Sequence, residues 1–91
     1  MEDGKLLRII PILLEEYGKA RRKHPGFTET VTNAVCLIAE ELGELAREIN
    51  DENSRNRDGI TLSGWRKKAQ IEAAHVAVTA IRTMIMLEDL K

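Results

Sequence analysis

With 91 residues, 43% of them hydrophobic and 32% charged, the chain suits one small folded domain spanning residues 1–91 and is too apolar for intrinsic disorder. Its 14 basic and 15 acidic residues leave a formal net charge of −1, which excludes the strong positive field that a nucleic-acid polymer requires of its binding proteins. Aromatic residues make up only 3%, so the core must come from Leu, Ile, Val and Ala; a domain this small buries little of its surface, and a second copy of the chain is expected to complete it.

The first helical segment is expected over about Lys5 to Lys23, with Pro11 inside its apolar pattern. Because proline fits best in the first turn, the main helix is expected to begin near Pro11, with residues 5–10 as a separate turn or an extension across a kink. His24-Pro25-Gly26 ends it, since the residue before a proline avoids the helical region. The basic cluster Lys19, Arg21, Arg22 and Lys23 reads either as a solvated helix end complementing the dipole or as a landing place for phosphates.

In the second segment Val31, Val35, Ile38, Leu42, Leu45 and Ile49 recur at spacings of four and three, a continuous helical seam. Thr28 or Thr30 is placed to cap its start, Thr28 the better if the helix begins at Glu29, and Asn50 and Asn53 mark its end. Residues 51–62 are mostly polar and read as a loop. Ser63 is then the N-cap of a third helix running from about Gly64 to Leu90. No alternating strand pattern occurs, and the fold class is all-α: a three-helix antiparallel subunit that completes a four-helix-type bundle by oligomerisation.

Cys36 is the only cysteine, so no intrachain disulfide is possible, and its apolar neighbours mark it as an inert core thiol. Met1-Glu2-Asp3-Gly4 lacks the basic stretch and apolar run of a secretion signal, and Glu72, His75 and Arg82 interrupt the longest apolar run. A cytoplasmic protein without membrane partners is expected.

Two patterns carry chemistry. On the second helix, at about 100° per residue, Glu41, Glu44 and Glu48 share a strip beside the apolar seam, whereas Glu40 points more nearly outward. Glu41 and Glu44 are helical neighbours, and gathering their charges beside a buried seam is costly unless a cation compensates. Alone, such a pair reads more simply as a solvated acidic face. On the third helix, apolar on nearly every side, Glu72, His75, Thr79 and Arg82 form one polar stripe. Charged residues are rarely buried without partners, so the stripe reads as an internal ion-pair network or as half of a metal site. Antiparallel packing of the two helices would bring Glu41, Glu44 and Glu72 together.

Glu40-Glu41-Leu42-Gly43-Glu44-Leu45-Ala46, followed by Glu72-Ala73-Ala74-His75, resembles the pattern Glu-Glu-x-x-Glu, spacer, Glu-x-x-Asp of the MazG-like all-α nucleotide pyrophosphohydrolases, above all the short phage-type members. The likeness covers most of the chain from about residue 13. It implies cleavage of a nucleoside triphosphate between its α and β phosphates, yielding a monophosphate and pyrophosphate, in a dimer or tetramer using Mg2+, with Mn2+ possible. By the same likeness Glu41, Glu44, Glu72 and His75 are metal ligands, and Glu41 or Glu44 serves as general base. His75 stands where the family has aspartate, and a neutral imidazole is a softer ligand than a carboxylate. Phosphate contacts are expected from Arg82, Lys67, Lys68 and Arg22; Trp65 is a candidate to stack on a base, though an apolar anchor is its plainer role. Two other readings stand beside this one. The chain is alternatively a non-catalytic oligomeric module that binds nucleotide. Less directly, Glu72-x-x-His75 is half of a di-iron bundle motif that dimerisation would supply twice together with Glu44.

Overall fold

The computed structural model describes the backbone of residues 2–57 and 65–90 and the side chains of residues 2–50 and 66–90. Three helices account for it: α1 (Glu2–Lys23), α2 (Val31–Arg57) and α3 (Trp65–Asp89). The all-α expectation therefore stands, and among the described residues there is no strand.

Each helix departs from its sequence-based bounds for a local reason. α1 does not begin near Pro11 but runs unbroken from Glu2, with Pro11 inside it. Proline leaves the carbonyl four residues earlier without an amide partner; here that residue is Leu7, and Leu7 and Pro11 both lie on an exposed side of the helix. Glu2 and Asp3 in the first turn and Arg21, Arg22 and Lys23 in the last complement the helix dipole at both ends. The cap of α2 is Thr30, whose Oγ1 accepts from the Asn33 amide at 3.1 Å, so the helix starts at Val31 rather than at Glu29. Residues 51–57, expected as loop, continue α2: Asn50 and Asn53 have modest helix propensity but do not break a helix already propagating. The remainder of the expected loop and the Ser63 cap lie outside the described residues.

α3 occupies the middle. It packs against α2 on one side and α1 on the other, whereas α1 and α2 do not approach each other directly. Glu41 and Glu48 of α2 meet His75 and Lys68 of α3 in opposite order along the chain, so these two helices are antiparallel. Glu16 and Ala20 of α1 meet His75 and Arg82 in the same order, so α1 and α3 run parallel. The fully buried apolar side chains are small: Ala34, Ala69, Ala74 and Val78. Small residues let helices close up, but each removes little apolar area from water.

Much of the apolar surface remains uncovered. α2 turns Ala34, Ile38, Glu41, Leu45 and Glu48 toward partial or full burial, while Val31, Val35, Leu42 and Ile49 lie exposed on an adjoining stripe. The seam read from the sequence is thus split: Ile38 and Leu45 serve the fold, and the other four positions are left bare. Cys36 is exposed rather than a core thiol. Two residues beyond Ala34, it sits about 200° around the helix from the face that packs on α3. No helix is long and apolar enough to cross a membrane, among the residues described.

Candidate metal centre and its cleft

Because α3 holds α1 and α2 apart, a groove runs between them with α3 as its floor. One part of it is a cleft of about 320 Å³ lined by Glu16, Lys19 and Lys23 of α1, Glu41 of α2, and His75 and Thr79 of α3. An adjoining hollow of about 350 Å³ shares Glu41 and Thr79 and extends past Leu37 and Glu40 to Arg82.

Glu41 and His75 of the cleft and the neighbouring Glu72 each offer a ligand atom, and these atoms lie within 4.8 Å of one another. Nδ1 of His75 is 3.5 Å from Glu72 Oε2 and 3.9 Å from Glu41 Oε2. Both separations exceed an N–H···O hydrogen bond, about 2.7–3.2 Å. The same two carboxylate oxygens are buried and find no hydrogen-bond partner among the described residues. Burial raises the Glu41 carboxyl above its ordinary range, the negative charges of Glu44 and Glu72 push the same way, and His75 opposes them. Such an arrangement calls for a cation: a proton or a metal ion.

The other ring nitrogen is engaged by a residue the sequence reading missed. Nε2 of His75 lies 2.9 Å from Oε1 of Glu16, a carboxylate that is only 7% exposed. Glu16 Oε2 accepts from Nζ of Lys19 at 3.1 Å, and Lys19 also meets Glu15 at 3.6 Å. The Lys19 bond holds the Glu16 carboxyl below its ordinary range, desolvation opposes it, and His75 adds to the lowering. Glu16 is covered by its immediate neighbours rather than sunk in an apolar core, so the ion pair wins. One signal was available in the sequence. Glu16 lies in helical register with Leu13 and Ala20, so a charge occupies an inward position of α1.

The remaining expected site residues are dispersed. Glu44 is exposed and outside the converging set, although its charge acts on Glu41. Lys68 pairs with Glu48 at 3.4 Å, and Lys67 is exposed at the start of α3. Arg22 is exposed on α1. The guanidinium of Arg82 is spent on structure: Nη2 donates to the His24 carbonyl at 2.8 Å, and the group stacks 5.0 Å from the Phe27 ring centroid. It thereby satisfies carbonyls at the end of α1 that have no intrahelical partner. Thr79 Oγ1 donates to the His75 carbonyl at 2.8 Å, a local back-bond rather than a free hydroxyl. Among the described residues, the cations lining the same cleft as Glu41 and His75 are Lys19 and Lys23, both from the basic end of α1. The Trp65 side chain lies outside the described residues.

No family model, no curated protein and no solved structure matches the chain.

Proposed function

We propose that the chain is a subunit of a homo-oligomeric, metal-dependent nucleotide pyrophosphohydrolase that cleaves a nucleoside triphosphate between its α and β phosphates. The observation that carries this reading is the convergence of Glu41, Glu72 and His75 beneath the basic end of α1. The orphaned oxygens of Glu41 and Glu72 fit a divalent cation, Mg2+ or Mn2+. These two carboxylates and His75 would hold it, and it would supply charge neutralisation for the phosphates and activation of water.

The chain's own residues account for the rest of the chemistry. Lys19 and Lys23 attract the triphosphate into the cleft, and Lys19, held charged by Glu16 and Glu15, keeps a positive edge beside the carboxylates. Glu44, exposed and outside the ligand set, is the carboxylate free to take a proton from the attacking water, since a coordinated carboxylate is less basic. The exposed stripe Val31, Val35, Leu42 and Ile49, with Leu6, Leu7 and Leu14 of α1, supports assembly into a dimer or tetramer that covers it.

A panel of nucleoside triphosphates with Mg2+ or Mn2+, scored for pyrophosphate release, tests the activity. Turnover of at least one triphosphate that stops on chelation is the expected result. The occupied guanidinium of Arg82 and the imidazole in place of a carboxylate favour one second reading, an oligomeric module that binds nucleotide without hydrolysing it. Binding without pyrophosphate release would select it.

A further inference from the structure

The geometry points to Glu16 as a positioning residue: it holds His75 in the tautomer with its proton on Nε2 and presents the Nδ1 lone pair to Glu41 and Glu72, making the cluster a site for a nitrogen-ligated first-row ion such as Mn2+ or Zn2+ rather than for Mg2+. The inference rests on the metal-centre reading above but not on the nucleotide chemistry.

Glu16 belongs to α1, which contributes none of the three converging ligand atoms. A carboxylate so well covered is costly unless both oxygens are engaged, and here both are: Oε2 by Lys19 at 3.1 Å and Oε1 by His75 at 2.9 Å. An ionised carboxylate only accepts hydrogen bonds, so Nε2 is the donor. In the neutral ring Nδ1 then carries the lone pair. Nδ1 faces two carboxylate oxygens that are also lone-pair donors, at separations too long for a shared proton. Three such atoms, at separations longer than a hydrogen bond, are arranged to share a cation; a metal ion takes the place of any Nδ1 proton, since a ligating imidazole must give it up. A carboxylate on the far nitrogen of a ligating histidine fixes the ring's orientation and raises its basicity. Imidazole nitrogen suits Zn2+ and its later first-row neighbours best, Mn2+ takes it alongside carboxylate oxygens, and Mg2+ prefers oxygen throughout.

The test uses the full chain labelled with 15N-histidine and titrated with Zn2+ alone. The chain has two histidines, and His24→Gln identifies the His75 signals. The expected result is a zinc-ligated Nδ1 and a retained proton on Nε2 of His75. Ligation through Nε2, or no change at either nitrogen while zinc binds, overturns the inference. Two variants separate positioning from packing, with the fold checked by circular dichroism. Glu16→Gln keeps an acceptor oxygen and should bind Zn2+ and Mn2+ within about threefold of the parent. Glu16→Met keeps the side-chain length without an acceptor and should lose on the order of ten- to hundredfold. Equal losses in both variants overturn the positioning role. His75→Asp should raise Mg2+ affinity and lower Zn2+ affinity; the opposite ranking overturns the selectivity. If the parent binds Mg2+ but neither Zn2+ nor Mn2+, this inference falls and the metal centre stands; if it binds none of the three, both fall together. Zinc ligation at Nδ1 without any nucleotide turnover supports the inference and removes only the nucleotide reaction.

Discussion

The two halves of α1 invert the usual order of a soluble helix. Its C-terminal half buries a carboxylate, Glu16, and joins α3 through His75 and Arg82. Its N-terminal half, rich in Leu and Ile, leaves Leu6 54% and Leu7 70% exposed. The same contrast runs through α2, where Glu48 is buried and Val35 and Leu42 are bare. Apolar burial is the usual driving force of a fold, each large side chain contributing about 1.5–3 kcal/mol. In this chain polar groups are packed and many of the large apolar ones stay exposed. The difference separates two regions: the charged half builds the cleft, and the apolar half carries the surface that the proposed assembly would cover.

The largest test of that division is at the cleft. Glu41→Gln is expected to lower metal-dependent pyrophosphate release by about a thousandfold, the several kcal/mol that a bound metal contributes. Glu40→Gln, on the exposed side of the same helix, should cost far less. Equal and severe losses would mean that the two faces of α2 have been exchanged.

On the apolar side, light scattering at micromolar concentration should find a species at least twice the 10.3 kDa chain mass. The double variant Val35→Glu, Ile49→Glu should weaken this association on the order of a hundredfold or more while leaving the helices intact by circular dichroism. A parent protein that runs only as monomer would remove the assembly from the comparison.

A smaller effect is expected at Arg82. Arg82→Ala removes a charge-assisted bond to the His24 carbonyl and should cost about 2 kcal/mol in urea unfolding. If Lys19 and Lys23 receive the phosphates, the Michaelis constant for nucleotide changes little in the same variant. A large rise in that constant with unchanged stability would return Arg82 to the substrate.

The smallest effect distinguishes Glu41 from Glu16 by pH, measured without metal. The fold raises the Glu41 carboxyl, so its ionisation destabilises the folded state at neutral pH, and the penalty fades as pH falls through its folded pKa. Glu41→Gln should therefore raise the neutral-pH melting temperature, with the gain shrinking on acidification. Glu16 is lowered, so its contribution is favourable at neutral pH and is lost only as pH falls below the ordinary glutamate range. Glu16→Gln should lower the melting temperature at neutral pH. A shift of the same sign in both variants would contradict their opposite environments.

The helices were legible because periodicity and breakers act locally. The Val31-to-Ile49 spacing, the stop at His24-Pro25-Gly26 and the polar stripe of α3 all depend on neighbours within a few residues. Helical phase likewise separated Glu41 from Glu40. Boundaries were less legible: Thr28 and Thr30 have the same capping chemistry, and only backbone geometry selects Thr30. Glu16 was invisible as a site residue because its partner, His75, is 59 positions away. Arg82 looked available for phosphate because nothing in its own helix reveals that the end of α1 needs a donor beside it. The sequence by itself determined that these residues form amphipathic helices carrying inward carboxylates, since side-chain direction follows from 3.6 residues per turn. Only the tertiary structure decided that α3 lies between α1 and α2, because which apolar stripe is buried depends on which neighbour reaches it. That placement opens the cleft, joins Glu16 to His75 and leaves most of the apolar seam uncovered.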